Sequence, residues 1–128
     1  MILVETGREE YSGEIKSEST GNNKMIKMSV MYPQEQGKNF NLDYYLQTHM
    51  ALVKDKWSGL VKDVYVTKGL AGGAPNSPPS YHVMAQISFA SMDDLQEALG
   101  KGADLFADIP NFTDIQPVVQ ISEQVYNG

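Results

Sequence analysis

Residues 81–100, YHVMAQISFASMDDLQEALG, contain a strand, a helix cap and a helix in one continuous run. Apolar and more polar side chains alternate through 81–90, which is the two-residue period of a strand with one buried face. Ser91 then stands where a helix N-cap belongs, and Gly100 stands where the helix would end. The run therefore predicts a strand followed by a helix, and the buried face of the strand consists of Tyr81, Val83, Ala85, Ile87 and Phe89.

The chain before this run predicts the same kind of unit. Residues 25–32 (MIKMSVMY) alternate and stop at Pro33, which predicts a first strand. Asn41 is a good N-cap, and apolar side chains then recur every three or four residues as far as Trp57, with Gly59 at the position of a C-cap. Residues 61–70 (VKDVYVTKGL) predict a second strand, and the Gly- and Pro-rich residues 69–80 predict a long loop after it.

The C-terminal part completes the pattern. Residues 103–108 predict a short helical turn ended by Pro110, and residues 115–125 (IQPVVQISEQV) predict the last strand. Pro117 favours an edge position or a bulge for that strand. The resulting order is that of the ferredoxin-like βαββαβ fold. We therefore expect one α+β domain at residues 25–125, with a four-stranded antiparallel sheet and two helices on one face.

The opposite face of the predicted sheet has a mixed polarity. It is too polar for a buried core and too apolar to be ideal in water. Two such sheets that meet face to face would explain the mixture, so we expect a homodimer. The side chains assigned to this face are Ser29, Met31, His82, Met84, Gln86, Ser88, Val118 and Gln120.

Residues 1–24 differ from the rest of the chain. The stretch 5–24 is polar and has almost no periodic apolar positions, so it cannot bury enough surface to offset its ordering entropy unaided. We interpret 1–24 as an N-terminal extension that is either vector-derived or adds an edge strand through Ile2, Leu3 and Val4. Met25 could then be a natural start.

The composition excludes several classes of protein. The chain has 128 residues, a net charge of −6 and no cysteine, which excludes disulfides and thiolate metal sites and favours a cytoplasmic location. Its Lys and Arg residues do not cluster, so neither nucleic acid nor an anionic membrane is expected as a partner. No apolar run is long enough for a membrane span, and the N-terminus lacks the apolar core of a signal peptide.

His49 is the leading candidate for chemistry. It lies on the apolar face of the first predicted helix, one turn after Tyr45. Imidazole titrates near neutral pH and can both take up and return a proton. The alternative is a buried histidine that fills space and binds a backbone carbonyl. Tyr45 is the second catalytic candidate, as a group that orients a substrate beside His49.

Aromatic residues are the candidates for substrate binding, because small-molecule pockets are mostly apolar with a few polar groups. Ordinary core packing is the alternative for each of them. Asp108 could orient His49 as a carboxylate partner, although it and Asn111 also suit a chain turn near Pro110. The aromatic candidates are Tyr32, Trp57, Phe89, Phe106 and Phe112.

No metal or cofactor is expected. His49 and His82 are far apart in sequence and have no evident third ligand, which argues against a metal site. Residues 69–73 (GLAGG) precede prolines instead of a helix, so they do not form a phosphate-binding loop. No dinucleotide or flavin motif is present.

Four stretches together resemble the EthD family, named for a protein associated with ethyl tert-butyl ether degradation. They are residues 40–50 (FNLDYYLQTHM), the Gly/Pro-rich loop followed by Tyr81, residues 80–99, and residues 108–114 (DIPNFTD). Their order and spacing extend over residues 25–123. The resemblance implies a dimeric α+β barrel, related in fold to antibiotic-biosynthesis monooxygenases, muconolactone isomerases and small polyketide cyclases. The helix histidine of the family matches His49.

We therefore expect a small dimeric protein with an apolar pocket near His49. Its chemistry would be cofactor-independent, either acid/base or oxidative, of the oxidoreductase or the isomerase/cyclase kind. The substrate would be a small apolar or aromatic catabolite, in keeping with the degradation of xenobiotics. The alternative is a non-catalytic ligand-binding or accessory protein of an oxygenase or degradation system. A haem-handling relative of the same fold would need His49 or His82 as an axial ligand.

Overall fold

The computed structural model describes residues 25–127, so the predicted extension at 1–24 lies outside the described residues. The strands are β1 Ile26–Pro33, β2 Val61–Lys68, β3 Tyr81–Phe89 and β4 Val118–Glu123. The first helical run, residues 42–56, consists of α1 Leu42–Tyr44, a π-helical turn Tyr45–His49 and α2 Met50–Lys56. The later helices are α3 Met92–Gly100, α4 Ala103–Asp108 and a 3-10 turn Ile109–Asn111.

The four strands form one antiparallel sheet in the order β2-β3-β1-β4. This order and the alternation of strands with helices confirm the predicted ferredoxin-like α+β fold. The last strand is shorter than predicted and begins after Pro117, at an edge of the sheet. Ile115 instead packs into the core, and its backbone N–H donates to Thr113 Oγ1 at 3.0 Å. A proline lacks the N–H that the strand ladder needs, which explains the later start.

The larger core cluster joins the helices to the helix-facing side of the sheet. Met28, Ile87 and Phe89 from the central strands pack with Trp57 and Leu95 in this cluster. The indole Nε1–H of Trp57 donates to the backbone carbonyl of Ala98 at 2.7 Å in the buried interior. This hydrogen bond joins the end of the first helical run to α3, because Ala98 lies within α3.

A second core cluster is aromatic and contains several of the candidate site residues. Tyr32 from β1, Tyr45 from the π-turn and Phe112 pack edge to face, with ring centroids 5.0 to 5.9 Å apart. Phe40 joins them at 5.0 Å from the ring of Tyr32. Edge-to-face aromatic packing is directional, so this cluster fixes ring orientations more closely than aliphatic packing does.

The register of the sheet confirms which side chains share the open face. Met31 is opposite both Met84 and Val118, and Ser29 is opposite both Gln86 and Gln120. Successive residues of a strand point to opposite faces, so these side chains lie together, away from Met28 and Val30. The hydroxyl of Ser29 donates to Gln86 Oε1 at 2.9 Å. The open face therefore has an apolar row beside a polar row, in keeping with the mixed polarity that the sequence predicts.

The predicted cap of α3 provides a test of the fold. Ser91 Oγ accepts a hydrogen bond from the backbone N–H of Asp94 at 3.1 Å. Ser91→Ala is expected to lower the free energy of unfolding by about 1 kcal/mol, because this N–H loses its partner. Urea denaturation measures the change. Ser58→Ala, at an exposed serine, is the matched control and should have a smaller effect; equal effects would contradict the capping role.

Candidate functional site

The first helical run contains a π-helical turn where the sequence predicts continuous α-helix. Asn41 caps the start of the run: its side-chain oxygen accepts a hydrogen bond from the N–H of Tyr44 at 3.1 Å. Within the turn, the N–H of Met50 bonds to the carbonyl of Tyr45, five residues earlier. The rings of Tyr45 and His49 stack within it, with centroids 5.3 Å apart and an interplanar angle of 14°. Single π-turns inside helices occur frequently at functional sites.

His49 contacts a carboxylate. Its Nδ1 lies 2.9 Å from Asp108 Oδ2, and the two side chains are only 8% and 11% exposed. Asp108 is the last residue of α4, so this contact joins α4 to the first helical run. The structure therefore brings together the candidate base and the candidate orienting residue, which are 59 positions apart in the sequence.

The other oxygen of Asp108 is held by two further donors. The phenol of Tyr44 donates to Oδ1 at 2.7 Å, and the amide of Asn111 donates to the same atom at 2.9 Å. Burial alone would raise the pKa of Asp108, but the hydrogen bonds from Asn111, His49 and Tyr44 outweigh it and lower that pKa below its ordinary value. The carboxylate is therefore ionised at neutral pH and has a fixed orientation.

An ionised carboxylate only accepts hydrogen bonds, so the contact requires a proton on Nδ1 of His49. When the imidazole is neutral, its lone pair is then on Nε2. Among residues 25–127, Asp108 is the only hydrogen-bond partner of this ring. Phe112 packs edge-on against it with centroids 4.8 Å apart and limits its rotation. Nε2 is the atom that remains for a ligand.

A cavity of about 30 Å³ lies beside His49, between the sheet and the first helical run. This volume holds about two water molecules. Phe106, Met50 and Ile109 are wall residues that also reach the surface, and Phe106 is the most exposed of the three, at 43%. The predicted site residues that line the cavity are His49, Tyr45, Tyr32, Trp57 and Phe106.

Two of these wall residues carry buried hydroxyl groups. Tyr32 and Tyr45 are each 1% exposed, and within residues 25–127 neither phenol oxygen has a hydrogen-bond partner. Burial raises the pKa of both phenols, and the nearby Tyr45 raises that of Tyr32 further. Both therefore stay protonated and are hydrogen-bond donors. A buried polar group without a partner is costly, which makes this pair unusual for a simple core.

The remaining predicted binding residues lie outside the cavity wall. Phe89 is fully buried in the larger core cluster, edge-on to Trp57 with centroids 5.8 Å apart. Phe112 packs against the rings of Tyr45 and His49 instead of facing the cavity. The structure thus places Phe89 in the core, where it supports Trp57, and places Phe112 behind the histidine.

The sequence does not identify Tyr44 as part of the site. A helical pattern points only one of two adjacent tyrosines inward, and Tyr45 is the one on the apolar face. The phenol of Tyr44 reaches Asp108 from the flank of the helix, and its pKa is raised by that hydrogen bond. Asn111 is visible only as a turn residue until α4 is in place.

Within residues 25–127, no group of three or more His, Cys, Asp or Glu side chains could hold a metal ion. No helix in the same described part of the chain is long and apolar enough to span a bilayer.

Comparisons with known proteins agree on a single family. Residues 35–116 match the family model described as the EthD domain. The crystal structure of an EthD-like protein from Ralstonia eutropha JMP134 is 39% identical, with a TM-score of 0.76, and the match covers 83% of this chain and 96% of that one. An ethyl tert-butyl ether degradation (EthD) family protein from Bacillus halodurans C-125 is 24% identical, with a TM-score of 0.61 and coverage of 79% and 99%.

More distant structures share the fold alone. A cofactor-independent oxygenase from Streptomyces nogalater is 6% identical, with a TM-score of 0.52, and the match covers 82% of this chain and 96% of that one. None of the curated proteins matches the chain significantly.

The carboxylate network predicts a pH-dependent stability. At neutral pH, Asp108→Asn should lower the free energy of unfolding by about 1–3 kcal/mol, because an amide oxygen and NH₂ cannot replace two acceptor oxygens. The pKa of Asp108 is lower in the folded protein, so its contribution is present above pH 3.8 and is lost as the pH falls through the folded value. Urea unfolding at neutral pH and near pH 3 measures the free energy of unfolding with and without the contribution of the ionised carboxylate.

The difference between wild type and Asp108→Asn should therefore shrink at the lower pH. Asp104→Asn is the matched control, since Asp104 is 65% exposed and its partner is the surface residue Lys56. A difference that stays constant between the two pH values would contradict the network.

Proposed function

We propose, given that the chain belongs to the EthD domain family, that it binds a small apolar or aromatic molecule and moves a proton at His49 Nε2. The observation that supports this most is the 2.9 Å contact between His49 Nδ1 and Asp108 Oδ2 at the wall of an apolar cavity. A histidine oriented by a carboxylate, with its second nitrogen free, is a common arrangement for a general base.

Each partner has a separate part in this proposal. His49 takes the proton from the substrate and returns it, so it is the catalytic residue. Asp108 holds Nδ1–H, keeps the lone pair on Nε2 and stabilises the imidazolium that forms after proton uptake. Tyr44 and Asn111 hold Asp108 and do not contact the substrate. The apolar wall strengthens the electrostatic interaction between the imidazolium and the carboxylate.

A substrate larger than two water molecules has to displace part of the wall. Phe106 is suited to this because it lines the cavity and is 43% exposed. Its ring packs near Gly102, where an added Cβ would lie 3.2 Å from Phe106 Cε2. The absence of a side chain at Gly102 leaves room for the ring in its present position. Rotation of Phe106 would widen the cavity without moving His49.

The same proton removal would also begin an oxidative reaction. Removal of the proton leaves an electron-rich carbanion on the substrate. In an oxidative reaction, dioxygen would be the oxidant that accepts electrons from this carbanion. The cofactor-independent oxygenase that shares this fold is consistent with such a route. Oxygen consumption coupled to substrate loss would favour oxidation over isomerisation. A role in the degradation of foreign compounds remains a prediction of the family resemblance.

We also propose that the open sheet face pairs with a second copy of the chain. One of its rows, formed by Val118, Met31 and Met84, is apolar, and it lies beside the polar row Gln120, Ser29 and Gln86. Val118 is 46% exposed in the isolated chain. A face that combines an apolar row with polar groups that can pair across a two-fold axis suits an isologous contact.

The proton-transfer proposal can be tested without knowing the natural substrate. The probe is 5-nitrobenzisoxazole, a small aromatic compound that opens to a coloured phenolate when a base removes its C–H proton. Wild type should accelerate the ring opening over buffer, and His49→Gln should lower the rate by about a hundredfold or more. Asp108→Asn should lower it by about tenfold or more, because Nε2 is no longer the fixed acceptor.

His82→Gln is the matched control, since it removes the only other histidine and leaves the cavity intact. A His49→Gln variant with the wild-type rate would remove His49 from the mechanism. Binding of the probe without ring opening in wild type would instead support a non-catalytic ligand carrier.

The dimer proposal has its own measurement. Sedimentation equilibrium at micromolar concentration should give twice the chain mass of 14.2 kDa. Met84→Lys places a charge in the apolar row of the open face and should yield monomers with unchanged circular dichroism. Met92→Lys is the control, because Met92 is 45% exposed on α3 and lies away from that face. A wild-type monomer would contradict the proposal.

A further inference from the structure

The phenols of Tyr32 and Tyr45, which have no hydrogen-bond partner among residues 25–127, give the cavity a chemical preference. Tyr45 lies between Tyr32 and His49, with ring centroids 5.9 Å from the first and 5.3 Å from the second. All three side chains line the same small cavity. The site therefore combines one base and two hydroxyl donors, while the rest of its wall is apolar.

The wall composition excludes several kinds of ligand. No Lys or Arg lines the cavity, and Asp108 lies directly behind His49, so a carboxylate or phosphate group would enter without a counter-ion. A pure hydrocarbon would leave both buried hydroxyls unpaired, which costs free energy for each. A neutral ligand with one acceptor oxygen satisfies both hydroxyls at once, because a carbonyl oxygen has two lone pairs.

We propose that Tyr32 and Tyr45 are a donor pair for the oxygen of a neutral carbonyl substrate whose adjacent C–H proton is removed by His49. This names the substrate class as enolisable carbonyl compounds, and it rests on the proposed function because His49 supplies the base. Tyr32 and Tyr45 are then catalytic residues, since they touch the reacting group. Their raised pKa values are consistent with this role, because each phenol keeps its proton near an anionic oxygen.

The step conserves atoms and charge. Nε2 of His49 takes the proton from the carbon next to the carbonyl group. The electron pair of that C–H bond becomes the new C=C bond, and the electron pair of the C=O π bond moves to oxygen. The two phenols donate to the oxyanion, and Asp108 stabilises the imidazolium. The imidazolium returns the proton to the same carbon or to another carbon of the enolate, which needs no oxidant.

The donor pair makes the site stabilise an anionic oxygen selectively. A suitable probe is 4-nitrophenol, because loss of its proton to Nε2 gives a phenolate that resembles the enolate and absorbs visible light. The matched probe without an ionisable oxygen is 4-nitrotoluene. Trp57 is the only tryptophan of the chain and lines the cavity, so quenching of its fluorescence reports the binding of either nitroaromatic.

Wild type is expected to bind 4-nitrophenol in its ionised form and more tightly than 4-nitrotoluene. Tyr32→Phe and Tyr45→Phe should each weaken 4-nitrophenolate binding by about tenfold or more, which is the effect of one hydrogen bond to a charged group. Neither change should weaken the binding of 4-nitrotoluene, because this probe has no anionic oxygen for the phenols to hold and each variant keeps its aromatic ring. Tyr126→Phe, at a residue 83% exposed, is the control and should change neither.

The two tyrosines give independent tests, and circular dichroism verifies that each variant is folded. The donor pair would be overturned if wild type and both variants bound ionised 4-nitrophenol equally well. It would also be overturned if wild type bound 4-nitrotoluene but not 4-nitrophenol. The proposed function is judged separately by His49→Gln. If only His49→Gln fails to bind 4-nitrophenol in its ionised form, the role of His49 as the base is retained and the donor role of the two tyrosines is rejected.

Discussion

A nearly buried carboxylate has to keep its hydrogen-bond donors, and Asp108 satisfies this requirement with Tyr44, His49 and Asn111. These donors come from the first helical run and from the turn after α4, so the requirement fixes the positions of those segments relative to each other. Removing one donor would leave part of an ionised group unpaired in a poorly solvated place, which is expensive. The position of the imidazole and the wall of the cavity both depend on this arrangement.

The π-turn is the local backbone feature that makes the arrangement possible. A π-turn holds one extra residue, so it rotates the residues before it relative to those after it. Tyr44, just before the turn, can then reach one oxygen of Asp108, while His49 at the end of the turn contacts the other. Tyr45 still stacks on His49. In an uninterrupted α-helix, His49 would still lie beside Tyr45, four residues earlier, but it would be turned by about 140° from Tyr44, five residues earlier. The poorer backbone geometry of the turn is compensated by these side-chain contacts.

The residue pattern predicted the secondary structure better than the site, for a physical reason. Strand alternation, the Ser91 cap and Pro117 act over a few neighbouring residues, and the resulting elements and strand order agree with the prediction. The contact of His49 with Asp108 depends on the packing of α4, which no local pattern specifies. The π-turn also has no local signal, because residues 42–56 are apolar at helical spacing whichever ladder they adopt. The residue pattern already singled out His49 and the family resemblance matched it, whereas the role of Tyr44 became visible only from the fold.

Tyr32 and Tyr45 show how stability and function can conflict within one small core. Phenylalanine would fill nearly the same space at either position, and it would remove a buried hydroxyl that has no hydrogen-bond partner among residues 25–127. The edge-to-face contacts of Tyr32 with Phe40 and Phe112 do not use the hydroxyl group, so packing alone does not explain the phenols. Hydroxyl groups that contribute nothing to the packing, and that line a cavity beside an oriented base, are best explained as groups reserved for a ligand oxygen.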